Sequence, residues 1–275
     1  MILFILEGKR RELSILNTVK HLFFKDKYKE DYFVTCYCSC IDSLYNKMVE
    51  HNKFDDSADT VDTLKELLPK DCKLQKHSSS DFSEIYLFFD YDLSNKQSTL
   101  LHNEKVMELL NFFSNETDKG KLFLSYPMAE ALLYLRKNIP DDDFFNYTVN
   151  SDVKKAFKKM VSDQLGALNK SYDDFLFKRK RGQDLNTSKL PDYVDDSCYQ
   201  KFLTNWKLIN AQHIKEANYI CCGLNEIPSN KDSISQRVIF ENQISKFIEK
   251  QAKLSILSAF PLFLFYYFKD SSYIL

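Results

Sequence analysis

Apolar positions along the chain follow two rhythms. Ile2–Leu6 is an unbroken apolar run, as a strand covered on both faces requires, and 85–89 (IYLFF) and 121–125 (KLFLS) repeat the type. Residues 32–37, aromatic and β-branched, predict one more strand. Helical spacing fills the intervals. It runs over 12–24, with Leu13, Leu16, Val19 and Phe23 near one stripe, and over 41–49, with Leu44 and Met48 inward. A short helix is expected at 61–68 and another at 105–113, and Pro127 stands where a further helix would begin. Strands separated by helices predict βαβ units. The expected fold is therefore α/β, a parallel sheet of about four strands flanked by helices.

From about residue 141 the rhythm changes. Helical spacing dominates 153–168, 199–219 and 237–268, the last with a break at Pro261, and no strand is predicted. Residues 171–195 are polar and read as a loop or linker. The chain divides into an α/β domain, 1–140, and a mainly helical subdomain, 141–275. The apolar stretch 254–268 falls short of the ~20 residues of a membrane span and reads as a buried helix. The opening apolar run meets Glu7 too early for a signal segment. Seven scattered cysteines then fit reduced thiols in a cytoplasmic protein. A formal net charge of −1 supplies no overall basic field, although a local strip could still meet nucleic acid.

In an open parallel sheet, functional groups gather beyond the carboxyl ends of the strands. Glu7 ends the first strand and precedes Gly8, Asp90 and Asp92 end the third, and Glu130 follows the fourth. Carboxylates crowded on one rim repel each other, and a hard cation such as Mg²⁺ or Mn²⁺ relieves that repulsion. Lys9, Arg10 and Lys121 are expected near this rim as phosphate contacts. The run Lys178, Arg179, Lys180 and Arg181, between Phe177 and Gly182, is a second candidate for nucleic-acid phosphates. Cys36, Cys38 and Cys40 alternate without a zinc-knuckle spacing and read as packing, and the dispersed histidines are assigned to no site. Asp90, Asp92 and Ser94 also fit the Asp-x-Asp-x-Ser opening of haloacid-dehalogenase-type phosphatases. There Asp90 would be the nucleophile, although that motif normally follows a first strand.

The segments ILFILEGK (2–9) and IYLFFDYD (85–92) resemble the strand-Glu-Gly-helix and strand-Asp-x-Asp pattern of a TOPRIM domain. With GKLFLSYPMAEAL (120–132) and ILSAFPLFL (256–264), the chain resembles the small TOPRIM-like nuclease effectors, OLD-like or PARIS-type, of bacterial phage-defence systems. The resemblance implies that Glu7 is the general acid or base and a possible ligand, with Asp90 and Asp92 holding the metal. It places Glu130 near a second metal. Where those nucleases carry an acid four residues after the first Glu, this chain has Arg11, with Glu12 beside it. A one-metal site and a ligand shifted to Glu12 both stay open. The implied activity is a Mg²⁺- or Mn²⁺-dependent endonuclease acting on DNA or RNA, tRNA included, as a toxic effector beside an ABC- or OLD-like ATPase partner. The non-enzymatic alternative is a degenerate TOPRIM scaffold that binds a partner protein, and Arg11 points that way.

Overall fold

The computed structural model describes residues 1–24, 32–55, 57–69, 72–91, 98–178 and 194–275, without the side chains of 154 and 155. Strands β1 (Ile2–Leu6), β2 (Tyr32–Cys36) and β3 (Glu84–Asp90) alternate with helices α1 (Arg11–Val19), α2 (Ile41–Glu50) and α3 (Thr60–Leu67). Helix α4 (Thr99–Phe112), a two-residue strand β4 (Ser114–Asn115) and β5 (Gly120–Ser125) follow. Sheet order is β2-β1-β3-β5-β4, parallel except for the β4 edge. The fold is thus α/β, with a mostly parallel five-stranded sheet flanked by helices. From β1 the chain steps to one side for β2, then crosses to the other side for β3. The strand order therefore reverses between β1 and β3, which opens a crevice beyond their carboxyl ends.

All five residues of β1 are buried because helices cover both sheet faces. One face is aromatic. Phe263 of helix α9 (Ala259–Tyr267) meets Phe4 at 5.7 Å, Tyr86 at 4.9 Å, Phe88 at 5.3 Å and Phe123 at 5.7 Å between ring centroids. Phe260 stacks on Phe88 at 4.6 Å. On the other face Phe89 meets Tyr37, and α2 packs on α4.

The second half is mainly helical: α5 (Lys154–Ala167), the long α6 (Asp196–Cys222), α7 (Gln236–Asn242) and α8 (Glu249–Gln251), the last two joined by a π-helical turn. Asp195 caps α6 by accepting the Cys198 N–H at 2.7 Å, and Gly223 ends it in the left-handed conformation, φ 75. Helix α6 packs along α9, so the helical half is a layer on the sheet and shares one apolar core with it. No described helix is long and apolar enough to cross a membrane.

The structure corrects several expectations. Strands β6 (Thr148–Asn150) and β7 (Lys253–Ser255) form a small antiparallel pair in the half expected to lack strands. The 237–268 helix breaks at Ala252, φ 50, instead of at Pro261. Pro261 sits in the first turn of α9, where its missing N–H has no intrahelical acceptor to lose. No α-helix begins at Pro127; a 3₁₀ segment, Ala129–Leu133, takes its place. The start of the expected 171–195 linker is docked: Phe177 N–H donates to Thr18 Oγ1 at 2.9 Å, and Trp206 Nε1–H donates to the Phe175 carbonyl at 2.8 Å.

A buried polar cluster ties β7 to α6. The Ser255 hydroxyl donates to Glu216 Oε1, and Gln243 exchanges two hydrogen bonds with the Ser255 backbone, at 2.8 and 3.0 Å. Burial pushes the Glu216 carboxyl from its ordinary 4.5 up to about 8, against the opposing Ser255 bond. His213, one turn earlier, is pushed down to about 4 by burial. Between pH 4.5 and 8 the folded chain keeps a Glu216 proton that the unfolded chain has released, so this group's share of stability falls as pH rises. His213 acts with the opposite sign, and only below its ordinary 6.5. From pH 6.5 to 8 the Glu216 share should drop by about 2 kcal/mol, at ~1.4 kcal/mol per pH unit. Glu216→Gln keeps an acceptor for Ser255 and should flatten that decline in thermal melts.

Candidate functional site

The crevice between the exits of β1 and β3 is an open cleft of about 1080 Å³. Glu7, Gly8, Lys9, Arg10, Arg11 and Glu12 line it from the β1–α1 turn, Cys38, Ser39 and Cys40 from beyond β2, and Asp90 from the end of β3. Met128 and Glu130 reach it from beyond β5, and Lys158 from α5. Four carboxylates and four basic side chains therefore share one concavity.

Backbone amides fix two of the acids. The Asp90 N–H donates to Glu7 Oε2 at 2.9 Å, and the Ala129 N–H donates to Asp90 Oδ1 at 2.8 Å. The register explains the pairing: Leu6 lies opposite Phe88, so Glu7 leaves its strand beside the last residues of β3. Asp90 lies opposite Ser125, which brings the turn after β5 onto the Asp90 side chain. Cys38, at φ 64, turns the chain after β2 so that its N–H donates to the Glu7 carbonyl at 2.8 Å.

Charge governs the other two acids. Glu130 is 4% exposed, and its Oε1 lies 3.7 Å from both Arg11 Nε and Lys158 Nζ. Glu12 is also buried, with its carboxylate folded over Gly8. A Cβ at Gly8 would stand 2.8 Å from Glu12 Oε2, so the glycine makes room for this acid. Burial raises the Glu12 pKa, and Glu130 raises it further. The backbone amides of Glu12 and Gly8 and the Lys158 charge pull the other way. The Arg11 guanidinium lies 3.4 Å from the centre of the Tyr172 ring, so an aromatic face holds it in place.

No family model matches the chain, and neither does a curated protein or a solved structure. The functional reading therefore comes from the cleft.

Of the residues expected at the site, Glu7, Asp90, Glu12, Glu130, Lys9 and Arg10 meet in the cleft, the last two exposed at its lip. Asp92, Arg179, Lys180 and Arg181 lie outside the described residues. Lys178 is exposed and pairs with Asp173 at 2.9 Å. Lys121 is misplaced by the sequence. It begins β5 instead of ending it, so it lies about 13 Å from the carboxyl rim at ~3.3 Å per residue. There its Nζ donates to the Ser114 carbonyl and sits over the Tyr266 ring. Cys38 and Cys40 line the cleft instead of packing in the core, while Cys36 packs at its margin. Lys158 carries no sequence signal, being remote from every motif.

The donor chemistry suits a hard divalent ion: carboxylate oxygens, two of them oriented by amides. Among the described residues, no three His, Cys, Asp or Glu side chains stand close enough to hold one ion. Asp92, the third expected ligand, is not among them.

Proposed function

We propose that the chain is a metal-dependent phosphodiesterase acting on nucleic acid, with the β1–β3 crevice as its active site. The observation that carries this reading is the convergence of Glu7, Glu12, Asp90 and Glu130 with Lys9, Arg10, Arg11 and Lys158 at the point where strand order reverses. A site that binds a polyanion through a cation needs both charge signs within reach of each other. Glu7, Asp90 and Asp92 would hold Mg²⁺ or Mn²⁺, which supplies a Lewis acid for a phosphate oxygen and an acidified water. Glu7 is the proton acceptor, and the Asp90 amide fixes its carboxylate for that role. Lys9 and Arg10, exposed at the lip, offset the charge of phosphates flanking the scissile one.

The finer assignment, a TOPRIM-type effector of phage defence held in check by an ABC- or OLD-like ATPase, rests on the motif resemblance. The order strand-Glu-Gly-helix and strand-Asp supports it.

A second reading has its own support. The Glu130 contacts to Arg11 and Lys158 fit a degenerate scaffold in which this acid is already paired with cations of the chain itself. One experiment separates the two. Purified protein is incubated with Mn²⁺ and with Mg²⁺ against plasmid DNA and total tRNA, with Asp90→Ala alongside. Metal-dependent cleavage that slows by at least about 10²-fold in Asp90→Ala supports the phosphodiesterase. Cleavage at equal rates in both proteins rejects it.

A further inference from the structure

We infer that the groove between the end of α6 and the β6–β7 pair holds single-stranded nucleic acid, with Phe145 and Tyr219 stacking on bases and Lys253 meeting a phosphate. The inference rests on the nucleic-acid reading of the cleft and adds the place where a strand is gripped.

The cleft alone is poorly equipped to hold a polyanion. Its four carboxylates match its four cations in number, and the whole chain carries a formal net charge of −1. Neither supplies the net positive field on which nucleic-acid affinity depends. The groove differs. It is open, about 510 Å³ in volume, and Lys246 and Lys253 line it with no acidic side chain among the described residues. The two lysines have different tasks. Lys246 Nζ donates to the Ile220 and Cys221 carbonyls and so closes the end of α6. Lys253 stands opposite Asn150 in the β6–β7 pair, and its side chain has no hydrogen bond or ion pair with a described residue. That ammonium is unspent.

The rings of the groove are unusual for this chain. Phe145, Tyr219 and Phe247 line it, each half-buried. Phe145 and Tyr219 lean on each other, with ring centroids 4.8 Å apart, and neither packs on the apolar core. Every other half-buried Phe or Tyr among the described residues does. Core packing therefore does not account for these two rings. A half-exposed aromatic face beside a lysine is what base stacking next to a phosphate requires. Paired bases already stack on each other, so an unpaired strand is the form that offers a face to these rings. From Thr148 of the groove, the start of α5 leads to Lys158 of the cleft. That path is at most about 28 Å long, at ~3.6 Å per extended and ~1.5 Å per helical residue. A strand of about ten nucleotides, at ~3.4 Å each when stacked, spans it.

The test measures binding on the full chain in EDTA, by fluorescence anisotropy of a labelled single strand of about twelve nucleotides. Wild type should bind that strand more tightly than the matching duplex. Lys253→Glu should weaken binding about tenfold and lower the salt dependence by about one phosphate contact. Phe145→Leu keeps the apolar bulk, removes the flat face, and should weaken binding by roughly 5- to 100-fold. Lys76→Glu makes the same charge change at an exposed position remote from the groove and should leave the affinity unchanged. Circular dichroism checks folding, and Lys253→Glu carries the test if Phe145→Leu does not fold. Wild-type affinity in the groove variants overturns the inference. So do equal affinities for strand and duplex, and so does a wild type that binds no strand. The cleft reading fails separately, because binding is read without metal. Groove-dependent binding by a protein that cleaves nothing with Mn²⁺ or Mg²⁺ supports the groove and removes only the cleft chemistry. Metal-dependent cleavage alongside unchanged binding in both groove variants removes only the groove.

Discussion

Glu7→Gln should leave the fold intact and lower metal-dependent cleavage by about 10³-fold, the scale on which a lost general base or a lost electrostatic contact registers. The glutamine carbonyl can still accept the Asp90 N–H that now reaches Glu7 Oε2, so the end of β3 keeps its tether. What disappears is one negative charge and one proton acceptor. Single-turnover kinetics at saturating Mn²⁺ should show the loss in kcat, and calorimetry should show weakened Mn²⁺ binding, with an unchanged melting midpoint. A variant that cleaves within a factor of a few of wild type would remove Glu7 from the chemistry and, with it, the crevice as the active site.

Phe263→Ala should be the most damaging single substitution in the scaffold. The ring is fully buried and meets Phe4, Tyr86, Phe88 and Phe123, which come from three parallel strands, besides Phe24 and Tyr267. Truncation loses the transfer energy of the ring and leaves a cavity that the stiff sheet cannot close, a combined cost of about 3–5 kcal/mol. The thermal midpoint should fall by roughly 10 °C, at about 2–4 °C per kcal/mol for a chain of this size. Because these rings lie under the strands that position Glu7 and Asp90, Mn²⁺ affinity should weaken too. Phe263→Leu, which keeps most of the volume, should recover much of the midpoint. A midpoint shift under 2 °C in the alanine variant would mean that α9 contributes little to the sheet.

The parallel sheet was legible because strands buried on both faces must be apolar throughout, and Ile2–Leu6 and 85–89 advertise that. The short strands β4, β6 and β7 span two or three residues each and leave no periodicity to read. The stop at Ala252 was hidden for a different reason. Alanine is the strongest helix former, and only tertiary packing holds it at a positive φ, at roughly 1 kcal/mol or more. The acids were legible because residues that follow a buried strand must emerge at its carboxyl edge. The same logic, applied to the start of the strand, would have sent Lys121 to the opposite edge. The Arg11–Glu130–Lys158 arrangement joins three distant segments by charge alone, and neither hydrophobic pattern nor motif spacing encodes it.

The position of α9 in the chain has a consequence for synthesis. The strands leave the ribosome first, and the helix that roofs their aromatic face is made more than a hundred residues after β5. Until it arrives, Phe4, Tyr86, Phe88 and Phe123 present sticky rings to the surroundings of a nascent polypeptide, the kind of surface that chaperones bind. The support beneath Glu7 and Asp90 is therefore complete only when that roof closes.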